Sequence, residues 1–291
     1  MNAEHFEYLR ALLRQRSGLV ISADKQYLVE SRLLPVARRH ALTGIAELVH
    51  KLHQSGSDEI VKEILEAMAT KESFFFRDKI PFEHFRDTIM PGLIRARAAR
   101  RRLRIWCAAA STGQEPYSLA MSLSEMGERL ADWRIDIIAT DLSQDALAKA
   151  QAGSYNQFEV QRGLPIALLL KYFRQRGDHW EIAPAVRSMV QFRQLNLLGD
   201  FDHLGLFDVV FCRNVLIYFD QPTKTAVLDR MARAMEGDGF LILGAAETVV
   251  GLTNSFRPVV NCRGLYAPNV PALAPASRTN TGPSLRVVAA R

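Results

Sequence analysis

The stretch Leu103-Arg104-Ile105-Trp106-Cys107-Ala108-Ala109-Ala110-Ser111-Thr112-Gly113-Gln114-Glu115-Pro116 decides the fold. It opens as a short apolar run, which predicts a strand over 103–109. It closes in small residues and a proline suited to the first turn of a helix, where a missing N–H costs nothing. A helix is therefore predicted over 115–130. The alternation repeats downstream, with strands over 135–139, 207–212 and 239–243 and helices over 145–151 and 221–235. Strand alternating with helix is the pattern of an open, mostly parallel α/β sheet covered on both faces.

Upstream of that stretch the period is helical. His5, Phe6, Leu9, Leu12 and Leu13 recur at helical spacing until Ser17-Gly18 ends the pattern. A second helix, capped by Asp24, carries Tyr27, Leu28, Ser31, Leu34 and Val36 and presents Lys25, Arg32, Arg38 and Arg39 on its other side. A third runs near 44–52, and a fourth starts at Asp58 and reaches Met68. Residues 1–80 thus read as a small helical domain, basic on at least one face. Residues 81–102 read as a linker helix ending in Arg95, Arg97, Arg100, Arg101 and Arg102. Such a cluster is either a solvated helix end favoured by the macrodipole or a partner-binding patch.

The α/β domain spans 103–268. Within it, YFRQRGDHWEI at 172–182 and SMVQFRQLNL at 188–197 break the alternation. Short alternating runs around an Arg-Gly-Asp turn predict a small antiparallel insertion at about 171–195. Residues 269–291 turn to Pro, Ala, Ser, Thr and Asn and are expected to be disordered.

Lys and Arg number 37 against 31 Asp and Glu, a net charge of +6, which favours an acidic partner without choosing among nucleic acid, membrane surface and protein. Cys107, Cys212 and Cys262 are scattered and no C-x-x-C occurs, so neither a disulfide framework nor a metal site is expected. No apolar run reaches the roughly 20 residues that span a bilayer. The N-terminal stretch carries charges throughout, and a soluble, cytoplasmic chain is expected.

Ligands of an open α/β sheet bind at the carboxyl ends of its strands. The first strand ends in a small-residue turn that lets a ligand approach the backbone, yet G-x-G-x-x-G and G-K-[ST] are both absent, which disfavours pyrophosphate ligands. Glu115 either complements the helix dipole or draws in a cationic ligand. Asp141, ending the second strand, either accepts from ribose hydroxyls or caps the next helix. Together these features favour a nucleoside without phosphates, and S-adenosylmethionine fits. Asn214 and Tyr218 follow the third strand, where reacting groups should meet. Phe74, Phe75 and Phe76 are too many for one helical face and suggest an extended segment wedged between the domains. Arg77 would then stand beside the cleft, matched to a carboxylate or held in an interdomain salt bridge.

These residues carry a resemblance. T-K-E-S-F-F-F-R-D at 70–78, W-C-A-A-A-S-T-G-Q-E-P-Y-S at 106–118, A-T-D-L-S at 139–143, N-L-L at 196–198, F-C-R-N-V-L-I-Y-F at 211–219 and G-x-x-E at 244–247 resemble the chemotaxis receptor methyltransferases, the CheR family. Order and spacing match over about residues 1–267. The resemblance implies a Rossmann-like methyltransferase domain and an S-adenosylmethionine-dependent O-methyltransferase that esterifies glutamates on the cytoplasmic helices of chemoreceptors. It implies cofactor contacts from Ser73, Arg77, Glu115, Asp141, Asn196, Leu197, Asn214 and Val215, with Arg77 and Tyr218 orienting the reacting groups. Lys71 stands where the family usually has Asn. The insertion resembles the family's β-subdomain, which in some members docks a receptor's C-terminal pentapeptide; its turn here is short, so tether-independent recognition is expected.

A glutamate of pKa about 4.3 is already ionised at neutral pH and needs no general base to attack a methyl sulfonium. The basic face of the helical domain would hold Glu-rich receptor helices. A monomer with no nucleic-acid partner and no membrane insertion is expected. A nucleic-acid methyltransferase is the rival, disfavoured because Asn214-Val215-Leu216-Ile217-Tyr218 lacks a stacking proline pair. A non-catalytic adaptor is a second rival, whose sign would be loss of Glu115, Asp141 or Arg77.

Overall fold

The computed structural model describes residues 1–269. The disorder expected over 269–291 falls, Asn269 apart, outside the described residues.

Four helices, α1 (Ala3–Ser17), α2 (Gln26–Arg39), α3 (Ile45–Ser55) and α4 (Asp58–Met68), bury one core that includes Phe6, Leu9, Leu13, Leu33, Leu48 and Ile64. Asn2 caps α1 by accepting from the His5 N–H, and Gly18 ends it at φ 75°. Glycine takes that left-handed conformation without strain. A Cβ at Gly18 would also lie 2.9 Å from the Phe219 ring, so the glycine lets this helix end seat against the second domain. Two details of α2 correct the sequence reading. Asp24 does not cap it but sits in a 3₁₀ turn, Ala23–Lys25, ahead of Gln26. The buried stripe is Val29, Leu33, Val36 and Ala37, while Tyr27 is exposed. Apolar residues on more than one face of this helix made its inward side ambiguous.

The linker is α5 (Ile80–Glu83), a π-helical stretch over His84–Ile89, and α6 (Met90–Ala96). It stops short of the expected 102. Arg97 is buried and donates to Asp208 and Asp238, and Arg100 donates to Asp208 and Glu236. These two arginines leave the helix to pin the linker to the sheet, which is neither of the roles first considered for the cluster.

The second domain contains β1 (Arg102–Ala108), α7 (Gln114–Ser124), β2 (Arg134–Asp141), α8 (Gln144–Ala152), β3 (Ser154–Asn156), α9 (Gln157–Gln161), α10 (Ile166–Tyr172), β4 (Phe173–Arg176), β5 (His179–Ile182), α11 (Pro184–Arg187) and β6 (Val190–Gln194). It continues with β7 (Phe207–Cys212), α12 (Gln221–Arg233), β8 (Met235–Leu243), β9 (Phe256–Pro258) and β10 (Leu265–Pro268). The main sheet has the order β6-β2-β1-β7-β8-β10-β9. Its first five strands are parallel, and β10 runs antiparallel to both neighbours. Residues alternate between two cores: Leu103, Ile105 and Cys107 face one, Trp106 and Ala108 the other. Strand order reverses between β1 and β7, so the ligand crevice of such a sheet lies at their carboxyl ends.

The antiparallel insertion differs in extent from the reading. Its sheet is β3-β5-β4, so one strand lies at 154–156, ahead of the expected 171. β6, expected within the insertion, is the parallel edge of the main sheet, in register from Ile137↔Val190 to Asp141↔Gln194. Alternation in VQFRQ marks a half-exposed strand but not which sheet takes it. The helix predicted over 115–130 ends at Ser124 and gives way to a 3₁₀ turn at Gly127–Leu130. Among the described residues no helix is long and apolar enough to cross a membrane.

Candidate active site

The crevice at the ends of β1, β2, β6 and β7 is roofed by the helical domain. Leu19, Leu65, Met68 and Ala69 form one wall and the strand ends the other. Contacts that hold the roof include Arg14 pairing with Asp220 at 2.6 Å, Asn196 Nδ2 donating to the Arg16 carbonyl, and the Val20 N–H donating to the Tyr218 carbonyl.

β1 leads into a turn in which Ala109 and Ser111 have φ of 71° and 50°. That turn delivers Glu115 to the first turn of α7. Glu115 is buried, and its Oε2 accepts from Arg213 Nη1 at 2.8 Å. Burial pushes its carboxyl above the ordinary range, with Arg213 opposing the shift. Asp141 ends β2 and accepts from the Ser111 N–H at 2.8 Å and the Ser143 N–H at 2.9 Å. Burial raises its pKa as well, against those backbone bonds. Asn196 and Leu197 follow β6 and line the same cleft. The Asn196 side chain is engaged at both ends, accepting from Leu198 N and donating to Arg16 O.

Beyond β7, Asn214, Val215 and Tyr218 reach the cleft on a loop held from below by Glu247. Its carboxylate accepts from the N–H groups of Asn214, Val215, Leu216, Ile217 and Gly244. Those bonds sustain the left-handed φ of 58° at Asn214.

Ser73 and Arg77 enter from the phenylalanine segment. That segment is not wedged between the domains as expected. Phe75 is fully buried in the second domain, 5.1 Å from the Tyr155 ring and 5.6 Å from Phe173. The Phe76 N–H donates to Ser118 Oγ. At Gly163, φ is 86° and a Cβ would fall 2.1 Å from the Phe75 carbonyl, so only glycine admits the segment there. Arg77 donates to the Glu72 carbonyl and lies 5.4 Å from the Phe74 ring centre. Among the described residues no carboxylate is within ion-pair distance of it. Lys71 does not line the cleft; it pairs with Glu66 at 2.5 Å.

Two comparisons bear on this arrangement. Residues 4–69 match the family "CheR methyltransferase, all-alpha domain", and residues 71–264 match "CheR methyltransferase, SAM binding domain". Chemotaxis protein methyltransferase 1 of Pseudomonas aeruginosa is 41% identical over 260 residues, 87% of this chain and 93% of that protein. Chemotaxis protein methyltransferase Cher2 of Pseudomonas putida is 38% identical over 258 residues, covering 87% and 94%. The chemotaxis protein methyltransferase of Escherichia coli is 32% identical over 257 residues, covering 87% of each chain.

The chain belongs to the CheR methyltransferase family.

It is thus an S-adenosylmethionine-dependent methyltransferase, and the cleft fits that cofactor. Two lining residues, Ser111 and Arg213, carry buried polar atoms without a partner, Oγ and Nε. The cleft also carries two carboxyls, buried Glu115 and half-buried Asp141, whose pKa burial raises. All nine site residues named from sequence lie on the wall of this one cleft. Three residues escaped that reading. Arg213, 1% exposed in its side chain, ties Glu115 to Asp78 and to the Arg77 carbonyl. Glu247 organises the loop after β7, and Ser111 joins the first turn to Asp141. A charged residue directly after an apolar parallel strand, as at Arg213, was the signal available for it.

Proposed function

We propose that this methyltransferase esterifies glutamate side chains on the cytoplasmic helices of chemoreceptors. The observation that carries the reading is the joint placement of Glu115, Asp141, Arg77 and Tyr218 around one roofed cleft. Bound there, S-adenosylmethionine supplies an electrophilic methyl on a sulfonium. Glu115 would receive its cationic amino-acid end, and Asp141 would accept from its ribose hydroxyls. Arg77 and Tyr218, which line the same cleft, would orient the incoming carboxylate. The acceptor is already ionised, so no proton need be removed, and orientation is the main task; it can supply about 7–11 kcal/mol. Leu19, Leu65 and Met68 give the cleft an apolar wall.

The helical domain is the proposed receptor-facing element. Arg38 is exposed on α2, whereas Arg32 is half-buried and donates to the Met68 carbonyl. The receptor contact is therefore assigned to Arg38. A cytoplasmic location follows from such acceptors. The test is incubation with methyl-labelled cofactor and receptor cytoplasmic fragments. Label released by mild base as methanol is expected; label stable to base would point to another acceptor atom.

A further inference from the structure

Glu66, in the last turn of α4, crosses from the helical domain to the second domain. One of its oxygens accepts from Ser143 Oγ and pairs with Lys71 Nζ. The other accepts from the Gln144 N–H at 3.0 Å. Ser143 is the N-cap of α8, where its Oγ also accepts from the Ala146 N–H at 2.9 Å. The Ser143 N–H in turn donates to Asp141, whose second oxygen accepts from the Ser111 N–H. A continuous chain of hydrogen bonds therefore runs from the roof of the cleft, through Glu66, Ser143 and Asp141, to the turn after β1. Glu66 is flanked by Leu65 and Met68, which line the cleft, while Asp141 lies on the facing wall.

A hydroxyl has one proton to give. With that proton committed to Glu66, Ser143 holds its rotamer, keeps its lone pair on the α8 cap, and fixes the backbone that aims the Ser143 N–H at Asp141. Lys71 sets the Glu66 carboxylate from the outside, 34% exposed in its side chain and clear of the cleft. Lys71 therefore pairs with Glu66 outside the cleft and does not line it.

We propose that Glu66 is a positioning residue that couples the seating of the helical domain to cofactor affinity. A ligand touching both walls favours the docked arrangement, and by linkage the docked arrangement favours the ligand to the same extent. Loss of Glu66 uncouples the two. The inference rests on Asp141 as the ribose contact.

The experiment is calorimetry with the demethylated product on wild type, Glu66→Ala, Glu66→Gln, Lys71→Ala and, as reference, Asp141→Ala. Glu66→Ala should weaken binding about tenfold, with Glu66→Gln between it and wild type. Lys71→Ala should stay within about twofold, since the bonds from Ser143 and Gln144 survive. Hydrogen exchange at the Gln144 amide should slow on product binding in wild type and not in Glu66→Ala. A structural role alone would lower the melting temperature equally with and without product; here the stabilisation by product should itself shrink. If Asp141→Ala weakens binding while both Glu66 variants bind like wild type, the coupling is overturned and the ribose contact stands. If Asp141→Ala also binds like wild type, the underlying assignment of Asp141 fails with it.

Discussion

Arg213 and Glu115, 98 residues apart in sequence, meet at 2.8 Å in the wall of the cleft, with the guanidinium almost wholly buried. The same guanidinium holds Asp78 and the Arg77 carbonyl. One arginine thereby joins the helix after β1, the loop after β7 and the segment that carries the cleft arginine. The pair leaves Glu115 with a carboxyl raised by burial, so a cationic ligand beside it would favour the ionised form.

That state gives a pH dependence with a definite sign. A raised pKa means Glu115 binds its proton more tightly when the cleft lacks a cation. Binding a cationic amine lowers that pKa and releases a proton. Cofactor affinity should therefore rise with pH until Glu115 is ionised without ligand, and fall on acidification. Calorimetry in buffers of different ionisation enthalpy measures the proton released. Glu115→Gln should abolish the release and weaken binding by about 1.5–3 kcal/mol, the worth of a charged hydrogen bond.

Glu247 serves five backbone donors with two oxygens, and a glutamine offers only one acceptor oxygen while turning an NH₂ toward N–H groups. Glu247→Gln should cost about 1–3 kcal/mol of unfolding free energy, measured in urea, because buried donors are left unpaired. Product affinity should fall as well, since Asn214 and Val215 lose their support.

At Arg77 the ion-pair alternative has no partner among the described residues, which sharpens the test. Arg77→Ala should collapse turnover with little change in melting temperature. Arg77→Lys should restore little, because an ammonium lacks the planar fork. Near-normal turnover in the alanine variant would remove Arg77 from the site.

Receptor docking through α2 should be electrostatic. Arg38→Glu should raise KM for receptor and leave product affinity unchanged, and wild-type KM should rise with salt. Methylation indifferent to both would place the receptor on another surface.

The parallel sheet, Asp141 at the end of β2 and Glu115 at the start of α7 were legible because each depends on local pattern: apolar runs, small-residue turns and a carboxylate where a strand stops or a helix starts. β6 was misplaced because alternation in VQFRQ records exposure, not partnership. The Phe74-Phe75-Phe76 segment was read as extended, whereas Phe75 and Phe76 lie in a turn with Phe76 at φ 51°, and its destination depended on Tyr155, Phe173 and Gly163, which lie far along the chain. Arg213 and Glu247 stood within quoted motifs, but what they hold could not be read for the same reason. Their partners are backbone donors and carboxylates brought together only by the fold, and a buried charge has no local signature apart from standing where a strand ends.

Glutamate esterification is tested most simply by the chemistry of the product. Purified protein, methyl-labelled S-adenosylmethionine and a receptor cytoplasmic fragment should yield base-labile label that maps to glutamates and is lost when those glutamates are replaced by alanine. Cofactor binding with no transfer to any receptor fragment, or transfer to nitrogen that survives base, would contradict it.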